Sequence, residues 1–342
     1  MIFENVFIES LAYELAPQRV TSDALEDQLR SAYQRLGIPS RCIESLTGIR
    51  ARRFWPEGAS LVDAGTRVVQ NALAQAGRPE AELRAEVGLL VSCSVSKEYL
   101  EPSMAAMIHG DAGLSPHCRN FDVSNACLGF LTGMEMAAEL IEHGRIPYAL
   151  IVATESSRNV VASTVARLNA DGATMQDYKD FLPTLTLGSG AVAMLLSHRD
   201  HATTTHRFHG SVSRAATEHS RICIGTYDWM RTDAPKLMSA GVELAQQTYA
   251  QACETFSWND DNIAQYICHQ VGAAHLATLT ERLSLTAEKA FPIFPEMGNM
   301  GAAAMPTTLA MAVEQNRVRA GDSVALMGIG SGLNVSMAKV TW

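Results

Sequence analysis

Three short apolar runs in the first half of the chain recur, in the same order, about half the chain length further on. VGLLVSCSV (87–95), FDV (121–123) and YALIVAT (148–154) read as buried strands. FDV leads through a turn into the helical stretch LGFLTGMEMAAELIEHG, which stops at Gly144. Later, IAQYICHQ (263–270), FPIF (291–294) and SVALMGIG (323–330) read as strands, and FPIF leads through PEMGNMG into a helix over AAAMPTTLAMAVEQN. The match is one of pattern, since residue identity between the halves is negligible. Strands alternating with helices predict an α/β fold with both sheet faces covered. The repeat predicts two similar halves, residues 1–170 and 171–342, packed as one compact unit.

Other segments fit the same alternation. Leu61, Ala64, Val68, Ala72 and Ala76 share one helical face, and Gly77-Arg78-Pro79 ends that helix. Residues 155–182 are helix-like but more polar and read as an insertion, after which TLGSGAVAMLLS (186–197) returns to strand character. No Pro-, Gly- or Ser-rich linker divides the chain.

Composition narrows the function classes. Hydrophobic residues are 47% and charged residues 18% of 342, which supports a sizeable core. A net charge of −9 argues against non-specific binding to nucleic acid. The start MIFENVFIES has an acid and no basic lead-in, unlike a secretory signal, and no apolar run approaches the roughly 18 residues of a membrane span. Seven cysteines, an odd number without C-x-x-C spacing, read as free thiols in a reducing cytoplasm.

In open α/β folds, ligands gather at the carboxyl ends of strands. Cys127, His269 and Asn299 fall at or just after such ends, at matching places in the two halves. A cysteine at a helix N-terminus feels unpaired N–H groups and the positive end of the dipole, which favour thiolate; as a buried thiol it is equally a small apolar filler. His269 suits a proton shuttle or a hydrogen-bonded structural imidazole. Asn299, between two Met-Gly turns, suits an amide donor to an oxyanion or a plain turn residue. GIGSGLN (328–334) lies too near the C-terminus for a dinucleotide fingerprint and reads as a glycine turn that lets the backbone approach the reactive centre. His198, His201, His206 and His209 sit beside a Thr run and read as a loop between strands, without the Cys or carboxylate cluster of a metal site. Arg50, Arg52 and Arg53 form a short basic patch, either solvated surface or a handle for a phosphate-bearing carrier such as CoA.

FDVSNACLGF, ICHQVG, GNMGAAAMP and GIGSGL, in this order and spacing, resemble the motif set of the thiolase superfamily, and TGIRARR resembles its β-ketoacyl synthase III branch. The likeness covers essentially the whole chain. Within that branch, SVSKEYLEPSMAA (94–106) and the closing GIGSGLNVSMAKVTW are most similar to the enzymes that join two fatty acyl-CoA molecules head to head. The resemblance implies the thiolase fold, a duplicated α-β-α-β-α layered sandwich, in a homodimer with no permanently bound cofactor and no metal. It implies acyl-CoA or acyl carrier protein as the substrate carrier and pathway enzymes as partners. Position by position it makes Cys127 the acyl acceptor, completes a Cys-His-Asn set with His269 and Asn299, and forms an oxyanion hole from the backbone N–H groups of Cys127 and Ser331. Glu101, in YLEPS, matches an acid that reaches the active site of the neighbouring subunit. The stretch His269 to His275 lacks both the H-Q-A-N sequence and the following basic residue that housekeeping synthases use for carrier protein, which favours CoA thioesters. Three activities stay open at this level: condensation of two acyl-CoAs with Glu101 as base, decarboxylative condensation with malonyl thioester, and acyl transfer or thioester hydrolysis.

Overall fold

The computed structural model describes residues 1–342. The first half supplies, in chain order, strand β1 (Val6–Leu15), helix α1 (Leu61–Gln75), β2 (Val87–Ser92), α2 (Met104–Asp111), β3 (Arg119–Asp122), α3 (Gly129–Glu142), β4 (Tyr148–Glu155) and β5 (Gly190–His198). The second supplies β6 (Arg207–Ala215), α4 (Ala234–Phe256), β7 (Gln265–Cys268), α5 (Ala273–Arg282), α6 (Ala304–Glu314), β8 (Ser323–Gly330) and β9 (Asn334–Thr341). The nine strands join in the order β7-β8-β9-β6-β1-β5-β4-β2-β3. In one half β2 is parallel to β3 and β4, and β5 is antiparallel to β4 and β1. In the other β7 is parallel to β8, and β9 is antiparallel to β8 and β6. The halves meet at the centre, where Phe7 of β1 stands opposite Arg207 of β6.

Local sequence accounts for the elements. Every residue of β4 is buried, as a central parallel strand with helices on both faces requires. Helix α1 starts where the Ser60 side chain accepts the Asp63 N–H, and it buries Leu61, Ala64, Val68 and Ala72 on one stripe. Residues of α1 and α2 form one core with the outer face of the first half-sheet. Residues of α4 and α5 do the same for the second. Between them α3 and α6 pack together with inward side chains of both half-sheets, including Val91 and Ile151 from one and Ile267 and Leu326 from the other. The result is the α-β-α-β-α sandwich expected of the thiolase fold. No helix is long and apolar enough to cross a membrane.

Two readings of the sequence need correction. Residues 291–294 are not a strand: only an isolated bridge between Ala290 and Tyr266 marks the place where the repeat calls for one. Pro292 has no N–H for a ladder. The Gln270 side chain takes over, accepting from the N–H groups of Ile293 (2.8 Å) and Phe294 (3.0 Å) and donating to the Phe291 carbonyl (2.6 Å). The boundary at 170/171 also moves. Position 171 lies inside the helical insertion (Arg158–Asn169 and Met175–Phe181), and β5 still belongs to the first half-sheet. The halves therefore divide between His198 and Arg207.

The middle layer is the test of this packing. Phe130 of α3 has no exposed surface. Phe130→Ala is expected to destabilise the protein by about 3–5 kcal/mol, read as a lowered urea midpoint with an unchanged slope.

Candidate active site

The segment after β3 turns sharply before α3 begins. Ala126 takes a left-handed φ of 47°, and Cys127 follows it at the corner. The turn is clamped by Asn125, whose Nδ2 donates to Thr132 Oγ1 (3.0 Å) and whose Oδ1 accepts from Asn334 Nδ2 (3.0 Å). Gly330 packs on the same turn: a Cβ there would stand 2.7 Å from the Asn125 carbonyl oxygen and 3.2 Å from the Leu128 nitrogen. The closing glycine turn thus lies directly against the Cys127 corner. Neither the Cys127 N–H nor the Ser331 N–H is bonded to a carbonyl, so both remain available as donors.

His269 follows β7 and is buried, its N–H donating to the Met327 carbonyl at 2.8 Å. Asn299 is buried and pinned across the halves: its N–H donates to the Thr186 carbonyl (2.9 Å) and its carbonyl accepts from Gly188 (2.8 Å). Its side-chain Oδ1 accepts the Gly301 N–H at 3.0 Å. That bond uses the acceptor end of the amide and leaves the NH₂ as a free donor.

Behind these groups lies a residue to which sequence reasoning gave no role. Glu155 ends β4, is buried, and accepts N–H bonds from Val95 (2.9 Å), Ser96 (3.0 Å) and Ala302 (3.2 Å). It ties the segment leading to Glu101 to the segment following Asn299. A Cβ on Gly301 would stand 3.1 Å from its carboxylate. The signal was an acid closing the otherwise apolar run YALIVAT.

The electrostatics correct one expectation. Burial, then the charge of Glu155 and the nearby Cys223, push the Cys127 thiol up to about 12. Although the residue keeps some exposed surface, its thiol is enclosed. A rise of that size from an ordinary thiol is worth about 4 kcal/mol, against about 0.3–1 kcal/mol from a helix dipole. The first helical residue is Gly129, beyond Cys127, so the dipole acts weakly here. Burial likewise pushes His269 down to about 3, with His275 adding to the effect. Both the Cys127 thiol and the His269 imidazole are therefore neutral near pH 7.

The arginine patch does not survive as read. Arg52 is fully buried, donating to Ser22 Oγ (3.0 Å) and the Leu185 carbonyl (2.8 Å), and burial lowers it to about 10 against the pull of Glu26. A phosphate has no access to it. Arg50 is exposed and already paired with Glu296 at 2.9 Å, and Arg53 is half-buried with Nη1 3.5 Å from the Ala16 carbonyl. Glu101 is exposed and makes no hydrogen bond or ion pair within its own chain. Its segment is anchored by Asp122 at the end of β3, which accepts from Met104 and Ala105 and pairs with Lys97 at 2.9 Å. The four histidines of the strand connection are engaged separately: His209 bonds Thr341 Oγ1 at 2.8 Å, His206 stacks on Trp342, His201 meets the edge of Tyr148, and His198 takes the Asp200 N–H.

Residues 121–214 match the model of 3-oxoacyl-acyl-carrier-protein (ACP) synthase III, and residues 253–342 match the model of its C-terminal part. The chain is 39% identical to an acyl-CoA:acyl-CoA alkyltransferase of Xanthomonas campestris over 343 residues, covering 100% of both chains. It is 39% identical, again over 100% of both, to the protein of the same name from Shewanella oneidensis. Among solved structures it is similar to Xanthomonas OleA with bound lauric acid and lauroyl-CoA, at a TM-score of 0.96 and 39% identity, covering 99% of this chain and 100% of that one. That OleA has also been solved with one cysteine, one histidine and one glutamate replaced.

Because the thiol is raised, alkylation of Cys127 by iodoacetamide is expected to accelerate about tenfold per pH unit from 7 to 9, with no plateau below pH 10. A plateau at or below pH 7 would mean a preformed thiolate. Glu155→Gln removes the neighbouring charge, so alkylation at pH 8 is expected to quicken. The melting temperature is expected to fall, because one of the three N–H donors then faces an NH₂.

Proposed function

The chain belongs to the 3-oxoacyl-ACP synthase III family, and we propose that it is an acyltransferase that joins two acyl-CoA molecules by Claisen condensation through an acyl-Cys127 intermediate. One observation carries the choice of substrates and roles. The glutamate, cysteine and histidine replaced in Xanthomonas OleA have the same separations along that chain as Glu101, Cys127 and His269 have here.

In the first step Cys127 Sγ attacks the thioester carbonyl, CoA leaves, and the thiol proton departs with it as CoA-SH. The N–H groups of Cys127 and Ser331 hold the tetrahedral oxyanion. The neutral resting thiol suits this order, because proton loss is coupled to attack and no reactive thiolate stands idle. In the second step the α-carbon of another acyl-CoA loses a proton to Glu101, and the resulting enolate attacks the acyl-Cys127 carbonyl. Cys127 leaves as thiolate and recovers the proton that Glu101 took. The product departs as a β-ketoacyl-CoA thioester, or as the acid once water cleaves that thioester and CoA-SH leaves. The free NH₂ of Asn299 and one ring nitrogen of His269 donate to the enolate oxygen.

Glu101 acts on the site of a second copy in this reading. The exposed environment of Glu101 supports a homodimer: Leu100 beside it is 81% exposed, with Tyr99 and Val95 also open, and β3 is an outer edge of the sheet. Acyl-CoA is the proposed carrier, and no permanent cofactor enters the scheme. A cytoplasmic setting suits CoA substrates and the seven free thiols.

Incubation with a panel of acyl-CoAs is expected to yield β-keto products by mass without malonyl-CoA. Products that require malonyl-CoA and release CO₂ would mean decarboxylative condensation instead. Cys127→Ser is expected to abolish the stable acyl adduct in intact-mass spectra. Glu101→Gln is expected to keep that adduct and lose condensation by at least about 100-fold; unchanged product formation would remove Glu101 as the base.

A further inference from the structure

His269 keeps one ring nitrogen, Nδ1, that nothing in the chain bonds, and so does His275 near the start of α5. Both nitrogens are shut off from solvent. Both rings line one narrow cavity whose other walls are apolar, Val242, Ala245, Leu279, Met327 and Val335 among them. The cavity has ≈ 20 Å³ of space, which admits about one water.

Buried nitrogens without partners are costly, and apolar walls offer them none. Two of them, on rings that line one water-sized space, can supply the two partners a buried water needs at least. The function proposed above asks one ring nitrogen of His269 to donate to the enolate oxygen, and with Nδ1 closed off that nitrogen is Nε2. A neutral imidazole that donates from Nε2 must accept at Nδ1, and the tautomer is set by what that second nitrogen bonds. No side chain or carbonyl of the protein fills this role for His269.

We propose that His275 is a positioning residue for His269: it anchors one water between the two Nδ1 atoms, and that water donates to Nδ1 of His269 and holds Nε2 protonated. Burial keeps both rings neutral, His275 at about 4 and His269, which also feels His275, at about 3, so the arrangement holds at neutral pH. The inference rests on the role given to His269 under the proposed function.

The test reads the tautomer directly. In ¹⁵N-histidine-labelled enzyme at pH 7, with signals assigned by single His replacements, His269 is expected to show the Nε2–H pattern. His275→Leu is expected to shift that signal towards a mixture of tautomers. It is also expected to lower the condensation kcat by about tenfold while leaving Cys127 acylation within about twofold, the loss of one hydrogen bond. His275→Gln, which can hold the water, is expected to recover most of the rate. A merely structural His275 would depress both half-reactions together and leave the tautomer unchanged, and that result overturns the proposal. So does an Nδ1–H pattern for His269 in the unaltered enzyme, a measurement that needs no variant to fold. The spectrum needs no turnover, so a preparation that shows the expected tautomer yet condenses no acyl-CoA would refute the proposed function and not this pairing.

Discussion

The reactive centre depends on one packing constraint: α3 and α6 are buried between two half-sheets, so the turns that precede them have nowhere to go but the middle of the molecule. The Cys127 turn leads into α3, and the Asn299 turn leads into α6. Each turn is then locked to the opposite half. Asn125 is bonded by Asn334 of the closing hairpin, and Asn299 is bonded by Thr186 and Gly188 of the segment that leads into β5 in the first half. Each turn is braced by bonds from the opposite half as well as from its own. The duplicated fold creates the site by making each half the other's scaffold.

That burial also sets the chemistry. Groups taken out of water resist charge, so burial holds both the Cys127 thiol and the His269 imidazole neutral. In the proposed mechanism, acyl transfer then relies on fixed donors for the developing negative charge: the N–H groups of Cys127 and Ser331 and the NH₂ of Asn299. Glu155 contributes by position, since its carboxylate accepts three backbone N–H groups and joins the loops that carry Glu101 and Asn299. Its charge also raises the Cys127 thiol, so the same residue braces the frame and disfavours the thiolate.

Much of this was legible because burial leaves periodic traces. The apolar runs of β2, β4 and β8 and the stripe of α1 follow from sheets covered on both faces, and they were placed to within a few residues. Phe291 to Phe294 misled because apolarity alone does not make a strand when Pro292 cannot donate. The side chain that replaces the ladder, Gln270, is distant in sequence. Arg52 misled because a charge in a basic run is usually solvated, and only the packing around it shows that Ser22 and Leu185 take its donors. The half boundary misled because the insertion after β4 delays β5 past the midpoint of the chain.

The sequence by itself determined the alternation of strands and helices, its duplication, and the residue types at the strand ends, because side-chain hydrophobicity and turn chemistry are local properties. It also carried the motif order that pointed to acyl-thioester chemistry through an acyl-cysteine. Only the tertiary structure decided that the thiol is neutral, that the Asn299 amide spends its acceptor on Gly301, that Glu155 acts on the Cys127 thiol, and that His269 and His275 share a cavity. Those facts depend on which distant groups are brought together and how completely water is excluded from them, and neither is written in any local stretch of the chain.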